Sequence, residues 1–164
     1  MKILNEKQMA QKIQRMAVQM LENNFDITEI IFAGINKNGF ELARLLSENL
    51  RHRSNIEIVL TRLRLNPADP SSNPIFLDIP VTSLNDKVII IVDDVANTGR
   101  TIFYAVKPLL EILPKKVEVA VLVDRKHKSF PIQADYVGLS LATTRQENIE
   151  VRLSGEGERG TYLN

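Results

Sequence analysis

The chain has no cysteine and no tryptophan, and only two of its 164 residues are histidine. Without a thiol there can be no disulfide, cysteine nucleophile or thiolate metal site, and two imidazoles are too few for a histidine-rich zinc centre. A hard cation held by oxygen ligands stays open. Neither sign of charge dominates: 21 Lys and Arg against 20 Asp and Glu leave a formal charge of +1. That balance offers no global attraction to nucleic acid, so RNA binding would need a local patch. No stretch reads as a membrane span or a signal peptide, and a cytoplasmic location is expected. What is present, 44% hydrophobic and 25% charged residues, is the composition of one soluble domain long enough for a sizeable core.

The most informative segment runs from Val88 to Thr101: Val-Ile-Ile-Ile-Val, then Asp93 and Asp94, then Val-Ala-Asn-Thr-Gly-Arg-Thr. The unbroken β-branched run suits a strand buried on both faces of a parallel sheet. Ligands of open α/β sheets bind at the carboxyl ends of such strands, where the two acids stand. Asn97, Thr98, Gly99, Arg100 and Thr101 precede the apolar periodicity of Ile102, Ala105, Val106, Leu109 and Leu110. Their N–H groups and hydroxyls would crown a helix start, which favours a phosphate. An acidic pair alone would equally suit a strand end capping a helix; the attached Thr-Gly-Arg-Thr turns the reading towards a ligand.

Elsewhere the pattern alternates as a doubly wound sheet should. Asn5 can cap a helix with a stripe of Met9, Ile13, Met16, Ala17, Met20 and Leu21, which suits a core or a subunit interface. Glu29 to Ala33 reads as a strand, Gly34 to Gly39 as a turn, and Phe40 to Leu50 as a second helix. His52, between Arg51 and Arg53, answers the negative end of that helix. Ile56 to Leu60, Val117 to Val123, Ala134 to Gly138 and Ile149 to Leu153 are further strands. Asn66 to Pro74 is rich in turn formers and is expected to be a mobile surface loop. The expected domain covers residues 1–153, with 154–164 as a Gly-rich, loosely ordered tail.

The segment from Val88 to Thr101 resembles the signature of the type I phosphoribosyltransferases, which use 5-phosphoribosyl-1-pyrophosphate (PRPP). The resemblance implies a single-domain α/β fold with a mostly parallel sheet, flanking helices and a mobile loop over the site. It implies that Asp93 and Asp94 hold the ribose hydroxyls and that Ala96, Asn97, Thr98, Gly99, Arg100 and Thr101 wrap the 5′-phosphate. Paired acceptors fix vicinal hydroxyls, and a phosphate dianion needs donors around it. Most of the chain is similar to one branch, the pyrimidine operon regulators that double as uracil phosphoribosyltransferases. That likeness is carried by Ala33-Gly34-Ile35 with Gly39, Asp78-Ile79-Pro80-Val81, Asp86-Lys87, Val121 to Arg125 with His127, and Pro131 to Gly138.

Three departures from that branch bear on mechanism. The pyrophosphate loop is Asn36, Lys37, Asn38 and Gly39 where the regulators carry Lys-Thr-Arg-Gly, so one cation stands where two are usual, and asparagine cannot replace a guanidinium fork. The lid reads Thr61-Arg62-Leu63-Arg64 in place of Tyr-Arg-Asp-Asp, keeping Arg62 as the catalytic cation. Asn97 stands where purine-using relatives carry an aspartate and the regulators a tyrosine; it cannot be a general base. The resemblance further implies Mg²⁺ held mainly by PRPP and water, with no fixed protein ligand, and a base pocket near Val123, Asp124, Arg125, Ile149 and Val151. Asp124 with Arg125 would equally suit a surface ion pair. The implied partners are PRPP, a nucleobase, most plausibly uracil, and further copies of the chain as a homodimer or higher oligomer. The run from Arg125 to Lys128 is a minority candidate for an RNA patch, which would fit a nucleotide-sensing regulator; a PRPP-binding transferase with another acceptor is the remaining alternative.

Overall fold

In the computed structural model, which describes residues 1–144 and 146–164, the apolar run at Val88 becomes strand β5 (Val88–Ala96) inside a six-stranded sheet. β2 (Glu29–Ile35) and β6 (Lys116–Arg125) pair with it in parallel. β3 (Glu57–Arg64) lies beyond β2 and β7 (Tyr136–Leu141) beyond β6, both parallel, while the two-residue β4 (Phe76–Leu77) closes the β3 edge antiparallel. The run can be apolar throughout because both faces are covered. Val88, Ile90 and Val92 pack towards helices α1 (Glu6–Asn23) and α2 (Asn36–Arg53), and Ile89 and Ile91 pack with Ile102, Ala105 and Leu109.

From β2 the chain crosses by α2 to β3 on one side, and from β5 it crosses to β6 on the other. The winding reverses between β2 and β5, and a crevice opens at their carboxyl ends. α1 begins with a full capping box: Gln8 N donates to Asn5 Oδ1 and Asn5 N to Gln8 Oε1, both at 2.9 Å. Met9, Ile13, Met16, Ala17 and Met20 are all buried in the core of the same chain, so this stripe is not left free as a subunit interface.

Four local expectations are corrected. The helix after the signature stops early: α3 is Arg100–Ala105, followed by a 3₁₀ turn at Lys107–Glu111. Pro108 has no N–H to continue the ladder and disfavours helical geometry at the residue before it. β3 runs on through Thr61–Arg64, so these residues belong to a strand and not to a lid. Thr61 and Leu63 point inward and pair alongside Ala33 and Ile35. The Pro-rich stretch, irregular as expected, follows between β3 and β4. Finally, β8 (Ile149–Arg152) leaves the main sheet and joins an antiparallel one with β1 (Lys2–Asn5) and β9 (Gly160–Leu163), in the order β1-β9-β8. Residues 160–163 of the tail, expected to be loose, are thus its central strand.

Candidate functional site

Alternation along β5 sends its two acids to opposite faces of the sheet. Asp93 faces a cavity of about 400 Å³ on the α3 side. Asp94 faces α2, where Asn38 Nδ2 donates to its Oδ2 at 2.9 Å. The Asp94 amide donates to Asp93 Oδ1 and the Val95 amide to Asp94 Oδ1, each at 2.9 Å. Burial pushes the Asp93 carboxyl well above the ordinary carboxylate range, and the charge of Asp94 adds to the effect. A ligand bringing hydroxyl donors would relieve that cost.

The same cavity is lined by Ala96, Asn97, Thr98, Gly99, Arg100 and Thr101, all six residues expected of the phosphate loop, together with Val95, Ile102 and Pro67. Gly99 has φ 87°, the left-handed region in which glycine carries no steric penalty. The loop is braced from behind, since Ser129 N and Phe130 N both donate to the Thr98 carbonyl, at 2.9 and 3.1 Å. With α3 only six residues long, the anion-binding capacity comes from these local N–H and hydroxyl groups more than from a helix dipole.

A second, more open cavity of about 470 Å³ lies beside it, lined by Asn36, Lys37, Arg62, Arg64, Asn66 and Phe76 among others. Lys37 and Arg62 meet here as expected, but Arg62 comes from a rigid strand. Its guanidinium lies 4.7 Å from the centre of the Phe40 ring, and its buried Nε has no hydrogen-bond partner among the described residues. Arg64 is committed to Asp78 at 2.9 and 3.2 Å. Asn38 does not join the cations; it turns to Asp94. Gly39 serves close packing, because a Cβ there would stand 2.4 Å from the Val92 carbonyl oxygen.

The residues expected at a base pocket divide between buried and half-buried positions. Val123, Ile149 and Val151 are buried in the core on the α1 and α2 side. Asp124 pairs with Lys128 at 2.7 Å, not with Arg125. Arg125 instead ties the loop from Ala96 to Thr101 to the connection before β8: its Nε donates to Thr143 Oγ1 at 2.7 Å, Nη1 to Asn97 Oδ1 at 3.2 Å, and Nη2 to the Thr144 carbonyl. Two cations of the Arg125–Lys128 run are therefore engaged internally, which leaves Lys126 and His127 exposed. Pro67 and the left-handed backbone of Asn36 (φ 52°) were not read from sequence as parts of the site; Asn followed by a helical pattern was their only signal. Among the described residues, no helix is long and apolar enough to cross a membrane.

A family model for the phosphoribosyl transferase domain matches residues 1–153, and the chain belongs to that family: it is a phosphoribosyltransferase. Within the family its curated relatives include the bifunctional protein PyrR of Bacillus pumilus, 35% identical with 93% of this chain and 89% of that one covered. The protein of the same name from Clostridium kluyveri is 36% identical with the same coverage. The fold is shared with the hypoxanthine phosphoribosyltransferase of Trypanosoma cruzi, at a TM-score of 0.72 and 19% identity over 85% of this chain and 81% of that one. It is also shared with a hypoxanthine-guanine phosphoribosyltransferase from Bacillus anthracis, at a TM-score of 0.70 and 19% identity over 86% and 82%.

Proposed function

We propose that the chain transfers the 5-phosphoribosyl group of PRPP to uracil, giving UMP and pyrophosphate. The observation that carries the reading is Asp93 in the wall of a donor-lined cavity, with Asp94 beside it on β5, next to a cation-lined cavity that begins one residue away at Asn66 and Pro67. Those three features match the ribose hydroxyls, the 5′-phosphate and the pyrophosphate of a single substrate. In the reaction the bond from C1 of ribose to the pyrophosphate oxygen breaks, its electron pair leaves with pyrophosphate, and a ring nitrogen of uracil bonds to C1 as its N–H proton passes to water. Asp93 and Asp94 fix the ribose, residues Ala96 to Thr101 anchor the phosphate, and Lys37 with Arg62 meets the leaving group. Positioning and electrostatics suffice, with no covalent nucleophile. Mg²⁺ would be held mainly on PRPP oxygens and water. The ion would neutralise charge on the departing pyrophosphate.

The uracil acceptor rests on the resemblance to the pyrimidine operon regulators. Asn97, whose Oδ1 is taken by Arg125, can offer its amide N–H groups to a base carbonyl but cannot take up the proton that the base nitrogen loses. Pyrophosphate release from PRPP and Mg²⁺ with a panel of bases tests the assignment. Turnover with uracil and none with hypoxanthine or guanine is expected; turnover with a purine alone would overturn it. Self-association belongs to the same reading, supported by the exposed Leu110 and Leu113 on the thinly covered face of the sheet, and sedimentation velocity reads it directly.

The reading also sets a pH dependence. A carboxylate accepts from both ribose hydroxyls, whereas a protonated Asp93 has one oxygen turned donor. Its raised pKa therefore places the loss of PRPP affinity above the pH at which an ordinary aspartate protonates, about 3.9. Calorimetric titrations at falling pH should show affinity dropping well before that value; a flat affinity down to it would contradict the role given to Asp93.

A further inference from the structure

The irregular segment from Leu65 to Ile75 is held near its start by both of the loops that line the two cavities. The Leu65 backbone N–H donates to Asn36 Oδ1 at 3.1 Å, and Arg100 Nη2 donates to the Pro67 carbonyl at 2.7 Å. One bond reaches the loop after β2 and the other reaches the loop after β5. Strands β2 and β3 stay in register as far as Ile35 and Leu63; at Asn36 the backbone turns off into α2 with φ 52°. The side-chain carbonyl of Asn36 then adds one more rung to the ladder. Asparagine suits both demands, since it tolerates the left-handed region better than most residues and carries an acceptor.

We propose that Asn36 and Arg100 form a two-point clasp on this segment, and that Asn36, whose Oδ1 is taken by the Leu65 N–H, is a positioning residue for the substrate's pyrophosphate end, acting through that bond. Its bond fixes the chain just beyond Arg62 and sets Arg62 and Asn66 across the open cavity from Lys37. The bond from Arg100 ties the same segment to the cavity that holds Asp93. A ligand with phosphate groups at both ends, such as PRPP, uses both sides of the clasp. A nucleoside 5′-monophosphate brings its phosphate only to the loop from Ala96 to Thr101. The inference rests on the PRPP reading for its ligand but not for its geometry.

Asn36→Gly separates the two properties, since glycine keeps the left-handed backbone and loses the acceptor. In ligand-free protein, amide exchange at Leu65 and through the following residues to Ser72 should speed up about tenfold, with exchange in β5 unchanged. Calorimetry should show PRPP affinity falling roughly fivefold to tenfold, the scale of one lost hydrogen bond, while affinity for UMP changes less than twofold. Asn36→Asp, which retains the acceptor and the backbone preference, should restore protection at Leu65. Unchanged exchange in Asn36→Gly would overturn the clasp. Equal losses for PRPP and UMP would overturn the positioning role in favour of a general effect on the fold. If the unaltered protein bound no PRPP, the function reading and the positioning role would fall together, while exchange at Leu65 would still decide whether the clasp exists.

Discussion

Asp93→Asn is expected to lower PRPP affinity about a hundredfold while making the protein more stable at neutral pH. The first effect follows from exchanging a carboxylate acceptor for an amide with one acceptor and two donors, facing hydroxyls that need acceptors; a charge-assisted hydrogen bond is worth about 1.5–3 kcal/mol. The second follows from burial. The Asp93 carboxyl is 8% exposed and is held well above the ordinary carboxylate range by desolvation first and by Asp94 second. A group whose pKa is raised by folding favours the fold most below its unfolded pKa and loses that contribution as pH rises through the folded value. At pH 7 the native protein therefore bears the cost of burying this carboxyl, which asparagine avoids. Asn can still accept the Asp94 amide proton through Oδ1, so the turn persists. Thermal melts should show Tm rising by about 2–4 °C for each kcal/mol relieved, and calorimetry should show the loss of binding. A variant that lost both stability and affinity would mean that Asp93 has a structural role only.

Gly39→Ala should produce a large loss of stability at the site. The added Cβ would meet the Val92 carbonyl oxygen at 2.4 Å and lie 3.3 Å from the Gly34 carbonyl carbon. These are backbone atoms of β5 and of the β2 end, and they cannot swing aside as a side chain can. The start of α2 would have to lift from the sheet, at a cost of about 1–3 kcal/mol or more for an overpacked contact, with Tm falling about 2–4 °C per kcal/mol. Because Lys37 and Asn38 ride on the same helical turn, PRPP affinity should fall with it. A Tm unchanged within a degree would show that this contact is loose.

The elements legible in the sequence were those set by local pattern. β5 stood out because a strand covered on both faces needs an unbroken apolar run, and the cap of α1 because Asn5 and Gln8 have the required spacing. The six residues from Ala96 to Thr101 line one cavity because their arrangement depends on one continuous turn with Gly99 at its left-handed position. What stayed hidden depends on distant partners. β1 and β9 are four residues each and exist because the two ends of the chain pair with each other. Thr61 to Arg64 were placed in a lid by resemblance; the inward alternation of Thr61 and Leu63 that marks them as strand is a weak signal until β2 is alongside. The base pocket was placed by resemblance on Val123, Ile149 and Val151, whose apolar side chains are as well explained by the core in which they lie. The partnership of Arg125 with Asn97 crosses 28 positions of sequence and leaves no periodic trace.

The central claim is that the acids, the phosphate loop and the cation cavity together form a PRPP site, and calorimetric titration of PRPP with Mg²⁺ into the unaltered protein tests it most directly. Saturable one-to-one binding per chain that is abolished in the Asp93→Asn, Asp94→Asn double variant is the predicted result. No heat of binding, or binding that survives the double substitution, would contradict it.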